Sequence, residues 1–453
     1  MPESFSYTSF ALSDDRTTVR LGYELIHDNT AYTLEESFVF EIALPDSAEV
    51  QAALRALHLA CGISYYKIFL PSGLSHPYKM EASEAAFWNG VFRGGLGEFL
   101  YVNKLEPSRL AQFTAQDGVG LGEGERILQL APEALLGIGG GKDSIVAGEA
   151  LKTAGVQING FVLATGDTTG QAAAVAEAMH VPLRVIKRTI DPQLLQLQLL
   201  PGAYKGHIPI SLIFGLTGTL LGLALNKGYV IVANEDSAST PRAEWAGEPV
   251  NHQWSKSFEF EGALQAYLHT YVSESLTYFS AIRPLGSVGV AKIFAKLSQY
   301  FDIFTSDNYV FRMNPNERPD ARWSLESPKS LSSFILLSPW LTKEAMLRIF
   351  GRNFLDESSL NVLFLELLGI QGEPPLDCVG TPDELRASLT ATINQGTWRG
   401  SALLELPELA SLTQDATTRA DDGLEPLLYL SNNQCFPTPL ASKLTDTLKE
   451  MLA

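Results

Sequence analysis

ALLGIGGGKDSIVAGEALKTAG, residues 134–155, is the stretch from which the fold is read. Residues 134–138 are a short apolar run that reads as a strand. Glycines follow, and residues 143–154 then read as a helix that Gly155 is placed to end. Glycines between a strand and a helix let the backbone come close to an anion, and the helix start offers unpaired N–H groups and a positive dipole end. Ser144 would donate to a phosphate oxygen, Lys142 would add a point charge, and Asp143 would hold a magnesium ion bridging the phosphates. A Walker A loop does not fit, because Leu136 and Asp143 stand where it needs Gly and Ser or Thr. A dinucleotide GxGxxG fails at Lys142. Without a ligand the same residues would be a glycine-rich turn.

Strand and helix patterns alternate outward from this loop. Residues 157–163 and 181–186 read as strands around an Ala-rich helix at 169–179, and a long apolar helix leads to a further strand at 229–233. This alternation predicts an α/β fold: a parallel sheet with helices on both faces and ligands beyond the carboxyl ends of its strands. Upstream, residues 18–25 and 38–42 read as strands around a turn at Asp28 and Asn29. Residues 48–62 read as a helix, ISYYKIFLP (63–71) as a strand, and 87–105 as an aromatic helix with a glycine interruption. Beyond residue 330 the chain reads as mostly helical, with a capping box at Thr381-Pro-Asp-Glu384. The expected division is an α+β N-terminal domain (1–125), a parallel-sheet nucleotide domain (126–330) and a mostly helical C-terminal region (331–453).

With 453 residues, the chain is long enough for several cores. A net charge of -18 without a Lys/Arg cluster argues against nucleic acid and for small-molecule partners. Cys61, Cys378 and Cys435 lie far apart without metal-ligand spacing, so no structural zinc is expected and a reducing cytoplasm is. MPESFSYTSF lacks the basic start and apolar region of a secretory signal. The uncharged run at 208–225 approaches the length of a membrane span, but Pro209 and its glycines interrupt it within a βα pattern, which predicts a buried helix.

Three further clusters carry polar groups. VANE (232–235) ends a strand, and the run at 250–261 gathers His252, Lys256, Glu259 and Glu261; the alternative is a solvated face. Lys205 and His207 open the apolar helix, suiting a carboxylate or phosphate, or else simply capping it. Residues 312–329, with Arg312 and Lys329, suit an acidic substrate or an exposed interdomain loop.

These residues resemble a known family. GGGKDS (139–144) is similar to the SGGxDS loop of the PP-loop ATP-pyrophosphatases, which are adenine nucleotide alpha hydrolase-like, with Gly139 in place of the leading Ser. A larger set resembles the UDP-N-acetylmuramoyl-L-alanyl-L-glutamate epimerases, the MurL family. It comprises GISYYK (62–67), GLGEF (95–99), GHIP (206–209), NE (234–235) with SAS (237–239), VNHQ (250–253) with SKSFEFE (255–261), and DCVG (377–380). The resemblance implies a cytoplasmic enzyme of peptidoglycan synthesis that uses ATP and Mg2+. It would convert the terminal L-Glu of UDP-MurNAc-L-Ala-L-Glu to D-Glu through an acyl-adenylate, releasing AMP and pyrophosphate. Adenylation would remove the carboxylate's charge and acidify the α-proton, which a base then takes. A pyridoxal Schiff base cannot serve, because the amine is locked in a peptide bond. The resemblance places Gly139, Gly140, Gly141, Lys142, Ser144 and Thr165 at the nucleotide and Asp143 at the metal. It makes Asp143, Glu235, His252, Lys256 and Glu259 catalytic candidates; Lys205, His207, Arg312 and Lys329 of the polar clusters, with Lys67 of GISYYK, are the substrate-binding ones.

Two departures stand out. Where the family pattern has a run resembling WCxxCPKC, this chain reads WSLESPKS, with Ser324, Ser327 and Ser330. Asp236 stands where the pattern has a basic residue. The competing readings are another carboxylate-adenylating PP-loop ligase and a nucleotide-binding regulator with a decayed site.

Overall fold

A computed structural model describes residues 3–118, 126–166, 169–311, 319, 321–410 and 423–453. Its strands are β1 (Ser4–Leu12), β2 (Thr18–His27), β3 (Thr30–Val39), β4 (Gly73–Ser75), β5 (Ala131–Gly137), β6 (Ile158–Thr165), β7 (Leu183–Thr189), β8 (Lys227–Val232), β9 (Ala243–Trp245), β10 (Glu248–Val250) and β11 (Thr277–Ser280). Nine of them form one sheet in the order β11-β8-β5-β6-β7-β3-β2-β1-β4. From β11 to β7 neighbours run parallel. β3 then joins the edge of β7 antiparallel and continues into the meander of β3, β2 and β1, with β4 parallel to β1. Strands from either side of residue 125 thus share one sheet, and β9 and β10 form a separate hairpin.

Period-2 alternation assigns the two faces of the parallel part. Leu135, Phe161, Val230 and Tyr278 enter one core with the helices Ala48–Tyr66, Ile210–Leu225 and Phe258–Tyr271. Leu136, Val162, Ile231 and Phe279 enter the other, with the helices Lys142–Thr153, Gln171–Met179 and Ser287–Ala295. The C-terminal helices Pro328–Leu337, Pro382–Gln395 and Thr438–Leu452 pack onto this second core through Phe334, Leu385 and Leu448. Thr381 and Glu384 form the expected capping box, with Pro382 in the first turn.

The uncharged run becomes the helix Ile210–Leu225, lying against the helix Ala48–Tyr66 and the sheet. Gly218 permits the close approach, since a Cβ there would come 2.7 Å from Phe161. Among the described residues no helix is long and apolar enough to cross a membrane.

The structure corrects two strand assignments. The segment 63–71 is not a strand: residues 63–66 are the end of the helix Ala48–Tyr66, and the chain then turns. Its aromatic residues suggested β-structure, but burial decided otherwise. Tyr65 donates to Glu36 Oε2 (3.2 Å), and Tyr66 Oη accepts the Ala111 N–H (2.7 Å). Strand β3 starts earlier and ends at Val39 rather than Ile42. Asp28 and Asn29, both at positive φ, make a two-residue turn that pairs His27 with Thr30 and fixes the register.

Candidate active site

β5 has β6 on one side and β8 on the other. The chain runs outward from β5 through β6 to β7 and then crosses back to β8, so the segments leaving β5 and β8 diverge. Ligands of α/β sheets bind at such a switch point. A cleft of about 800 Å³ opens there, lined by Gly139, Asp143, Thr165, Asn234, Lys256 and Cys378. A recess beside it is lined by Lys142, Glu235 and Ser287.

The loop after β5 leads to Gly141, and no side chain caps the helix Lys142–Thr153 that begins there. Its first-turn amides keep the character of an anion site. Ser144 Oγ donates to Gly141 O (3.0 Å), and the Thr305 N–H donates to Gly140 O (3.2 Å). Gly140 has φ +89, and a Cβ there would sit 2.8 Å from Gln171 Cβ. Gly140→Ala should therefore cost about 1–3 kcal/mol in urea unfolding, the range for a strained backbone residue.

Lys142 Nζ lies 2.5 Å from Asp143 Oδ1. Burial opposes the charge on Asp143, yet Lys142, Lys329 and Lys256 hold its carboxyl below the usual range. Burial pushes Glu235 up to about 7; Lys142 opposes this, and the acidic neighbours Asp143 and Glu384 add to it. Ser287 Oγ donates to Glu235 Oε1, while Oε2 is buried with no hydrogen-bond partner. Two carboxylates with one orphan oxygen, in an oxygen-only donor set, fit a hard cation such as magnesium.

Arg283, fully buried, ties this wall together. Its Nε and Nη2 donate to Glu261 Oε2 (2.9 and 2.7 Å). Nη1 donates to Glu235 O and Nη2 to Lys256 O, both at 2.6 Å. Glu261 Oε1 also accepts the Ser280 N–H at the end of β11 (3.0 Å). One guanidinium thereby sets the backbone at two site residues.

A second group faces the cleft. Lys256 Nζ lies 3.2 Å from Cys378 Sγ. Burial disfavours the Cys378 thiolate, but Lys256, Lys329 and His252 outweigh it and bring the thiol down to about 6. His252 hydrogen-bonds through Nδ1 to Glu98; burial works against its charge, but Cys378 and Glu98 raise it to about 9. His207 packs on His252 with ring centroids 4.5 Å apart, and burial, with the positive neighbours His252, Lys256 and Lys67, drops it to about 3. Donor atoms of His252, Asp377 and Cys378 lie within 4.8 Å of one another, as do those of Glu98, His207 and His252.

The sequence was also compared with known families and proteins. The sequence model of the MurL N-terminal domain matches residues 1–281, and that of the MurL C-terminal domain matches residues 303–422. The chain belongs to the MurL family. A protein of Xanthomonas oryzae pv. oryzae named UDP-N-acetyl-alpha-D-muramoyl-L-alanyl-L-glutamate epimerase is 33% identical over 410 residues, 88% of this chain and 87% of that one. Proteins of the same name from Micromonospora sp. and Salinispora tropica are each 31% identical, over 89% and 90% of both chains respectively.

Of the residues singled out from the sequence, Gly139, Gly141, Lys142, Asp143, Ser144, Thr165, His207, Glu235, His252, Lys256 and Lys329 line the cleft or its recess. Gly140 shapes the loop. Glu259 and Lys205 do not join them. Glu259 is exposed on the first turn of Phe258–Tyr271, and the exposed Lys205 offers its carbonyl to Asn103 Nδ2 (2.8 Å). Lys67 is buried, and its Nζ donates to Gly206 O, holding the loop before His207. Arg312 lies outside the described residues.

Cys378, Glu98, Arg283 and Glu384 were not singled out. Cys378 lies within the DCVG stretch, to which no role was assigned, and its partner Lys256 is 122 positions away. Of the serines in the WSLESPKS run, Ser324 through its N–H (2.7 Å) and Ser330 through Oγ (3.1 Å) donate to the buried Asp307. Ser327 Oγ is buried without a partner. Asp236 accepts from Asn433 Nδ2 (2.7 Å).

Proposed function

We propose that the chain inverts the α-carbon of the terminal L-Glu of UDP-MurNAc-L-Ala-L-Glu, consuming ATP and releasing AMP and pyrophosphate. The named relatives supply the substrate. The observation that carries the reading is a juxtaposition: the cleft and its adjoining recess gather the glycine loop, Asp143 and Glu235 with Lys256, Cys378 and His252. ATP would supply activation, since an acyl-adenylate has lost the carboxylate charge that makes the α-proton hard to remove.

The chain's own residues would do the rest. The amides at Gly140 and Gly141, the helix start and Ser144 would hold the phosphates. Asp143 and Glu235 would hold magnesium, and Lys142 would balance the charge between them. Thr165, at the end of β6, would border the nucleotide. Lys329 and His207 would orient the substrate's acidic groups. A UDP-linked peptidoglycan precursor made at this step would put the reaction in the cytoplasm.

The test is incubation with ATP, Mg2+ and UDP-MurNAc-L-Ala-L-Glu, followed by chiral analysis of the hydrolysed glutamate. D-Glu should appear together with AMP and pyrophosphate. Glutamate that stays wholly L while ATP is untouched would end the reading.

A further inference from the structure

We propose that Cys378 is the base that takes the α-proton, held as a thiolate by Lys256 and by the pair His252–Glu98. The inference rests on the proposed epimerisation. It deepens that reading by assigning the proton-abstracting group, which no motif identified.

The geometry comes first. Cys378 lines both the cleft and the recess, so its sulfur borders the space that also meets Asp143 and Glu235. Lys256 Nζ approaches Sγ to 3.2 Å from the segment after β10, and the Arg283 guanidinium fixes the Lys256 carbonyl. His252 is held from behind by Glu98, which lies on the helix Gly97–Val102. Asp377 Oδ1 accepts the Cys378 N–H (2.6 Å) and sets the turn that presents the sulfur. The groups facing the thiol are thus Lys256, Lys329, His252 and Arg242 as positive partners and Asp377 as the local negative one. The lowered thiol agrees with this arrangement. The other cysteines have no such setting: Cys61 is fully buried, and burial, then Glu261, pushes Cys435 up to about 12.

The step balances. The α C–H bond breaks, its proton forms the S–H bond of Cys378, and the electron pair stays on the substrate, delocalised into the activated acyl carbonyl. A cleft water gives its proton to the opposite face, forming the new C–H bond. The resulting hydroxide takes the proton from Cys378, restoring the thiolate and the water. Cys378 is the catalytic residue here, and Lys256 and His252 are positioning residues.

The experiment uses the full chain with ATP, Mg2+ and the UDP-MurNAc dipeptide in D2O. Cys378→Ser should lower epimerisation and α-deuterium incorporation by about 10²–10⁴-fold, the usual contribution of a general base. Dipeptide-dependent ATP–pyrophosphate exchange should persist in that variant. Epimerisation within about 3-fold of wild type in Cys378→Ser would overturn the assignment. Absence of exchange in the wild-type protein would overturn the proposed function and this inference with it.

A second measurement does not depend on the variant folding. Iodoacetamide at neutral pH should alkylate Cys378 before Cys61 or Cys435, read by peptide mass spectrometry, and should abolish epimerisation while sparing exchange. Lys256→Met should slow that alkylation, which a merely structural lysine would not do. Alkylation of Cys378 no faster than of Cys435, or a stoichiometric zinc retained on Cys378 and His252, would sink the proposal.

Discussion

Arg283→Ala should destabilise the chain by about 3–5 kcal/mol, the cost of leaving one member of a buried ion pair alone. Glu261 is 1% exposed and has no other cation within hydrogen-bond reach among the described residues. The loss should depend on pH. Burial already raises the Glu261 carboxyl above its ordinary value, against the pull of Arg283. Removing Arg283 moves it further up. A carboxyl raised in the folded state favours folding when protonated and loses that contribution as pH rises from the ordinary carboxylate range through the folded value. Urea midpoints of variant and wild type should therefore converge toward acid pH and separate toward pH 8. A constant gap across that range would show that the cost lies in lost packing rather than charge. Activity should fall as well, because the same guanidinium holds the carbonyls of Glu235 and Lys256.

Asp143→Asn is the second large effect. It keeps the shape and removes the charge at the first turn of the helix Lys142–Thr153. Epimerisation should drop about 10²–10³-fold, the scale for losing one preorganised electrostatic group. The loss should appear in kcat and in pyrophosphate release alike, since the group acts before the α-carbon chemistry. The fold should survive, because Lys142 still has Glu235 and Glu384 as acidic neighbours. A urea midpoint equal to that of wild type, with activity also unchanged, would remove Asp143 from the site.

The strand, glycine loop and helix around residues 134–155 were legible because their signals are local. Apolar alternation, glycines and a helix start sit within one short stretch, and no distant residue was needed to read them. The parallel order of the central strands followed from the same alternation. The N-terminal part was less legible: nothing in residues 30–39 says that their edge partner is β7. Glu259 and Glu261 show how register decides. Ser257 caps the helix by accepting the Phe260 N–H, so Phe260, Glu261 and Leu264 turn inward and Glu259 turns out. Counting from that cap separates the two acids. Arg283 and Cys378 carry no such local sign, since their importance lies in partners brought together only by the completed sheet. The helical end at residues 63–66 was misread for a related reason: aromatic content argued for a strand, while enclosure by other elements chose the helix.

The pairing of β3 with β7 has a consequence for biosynthesis. Val39 meets Lys187, so the hairpin made first must wait for a strand roughly 150 residues downstream; at ordinary ribosomal speeds the delay is on the order of ten seconds. During that interval the backbone edge of β3 is open to any other extended chain. Nascent copies on one polysome would be each other's nearest such chains, so slowing translation between residues 40 and 187 should raise the insoluble fraction without altering the finished protein.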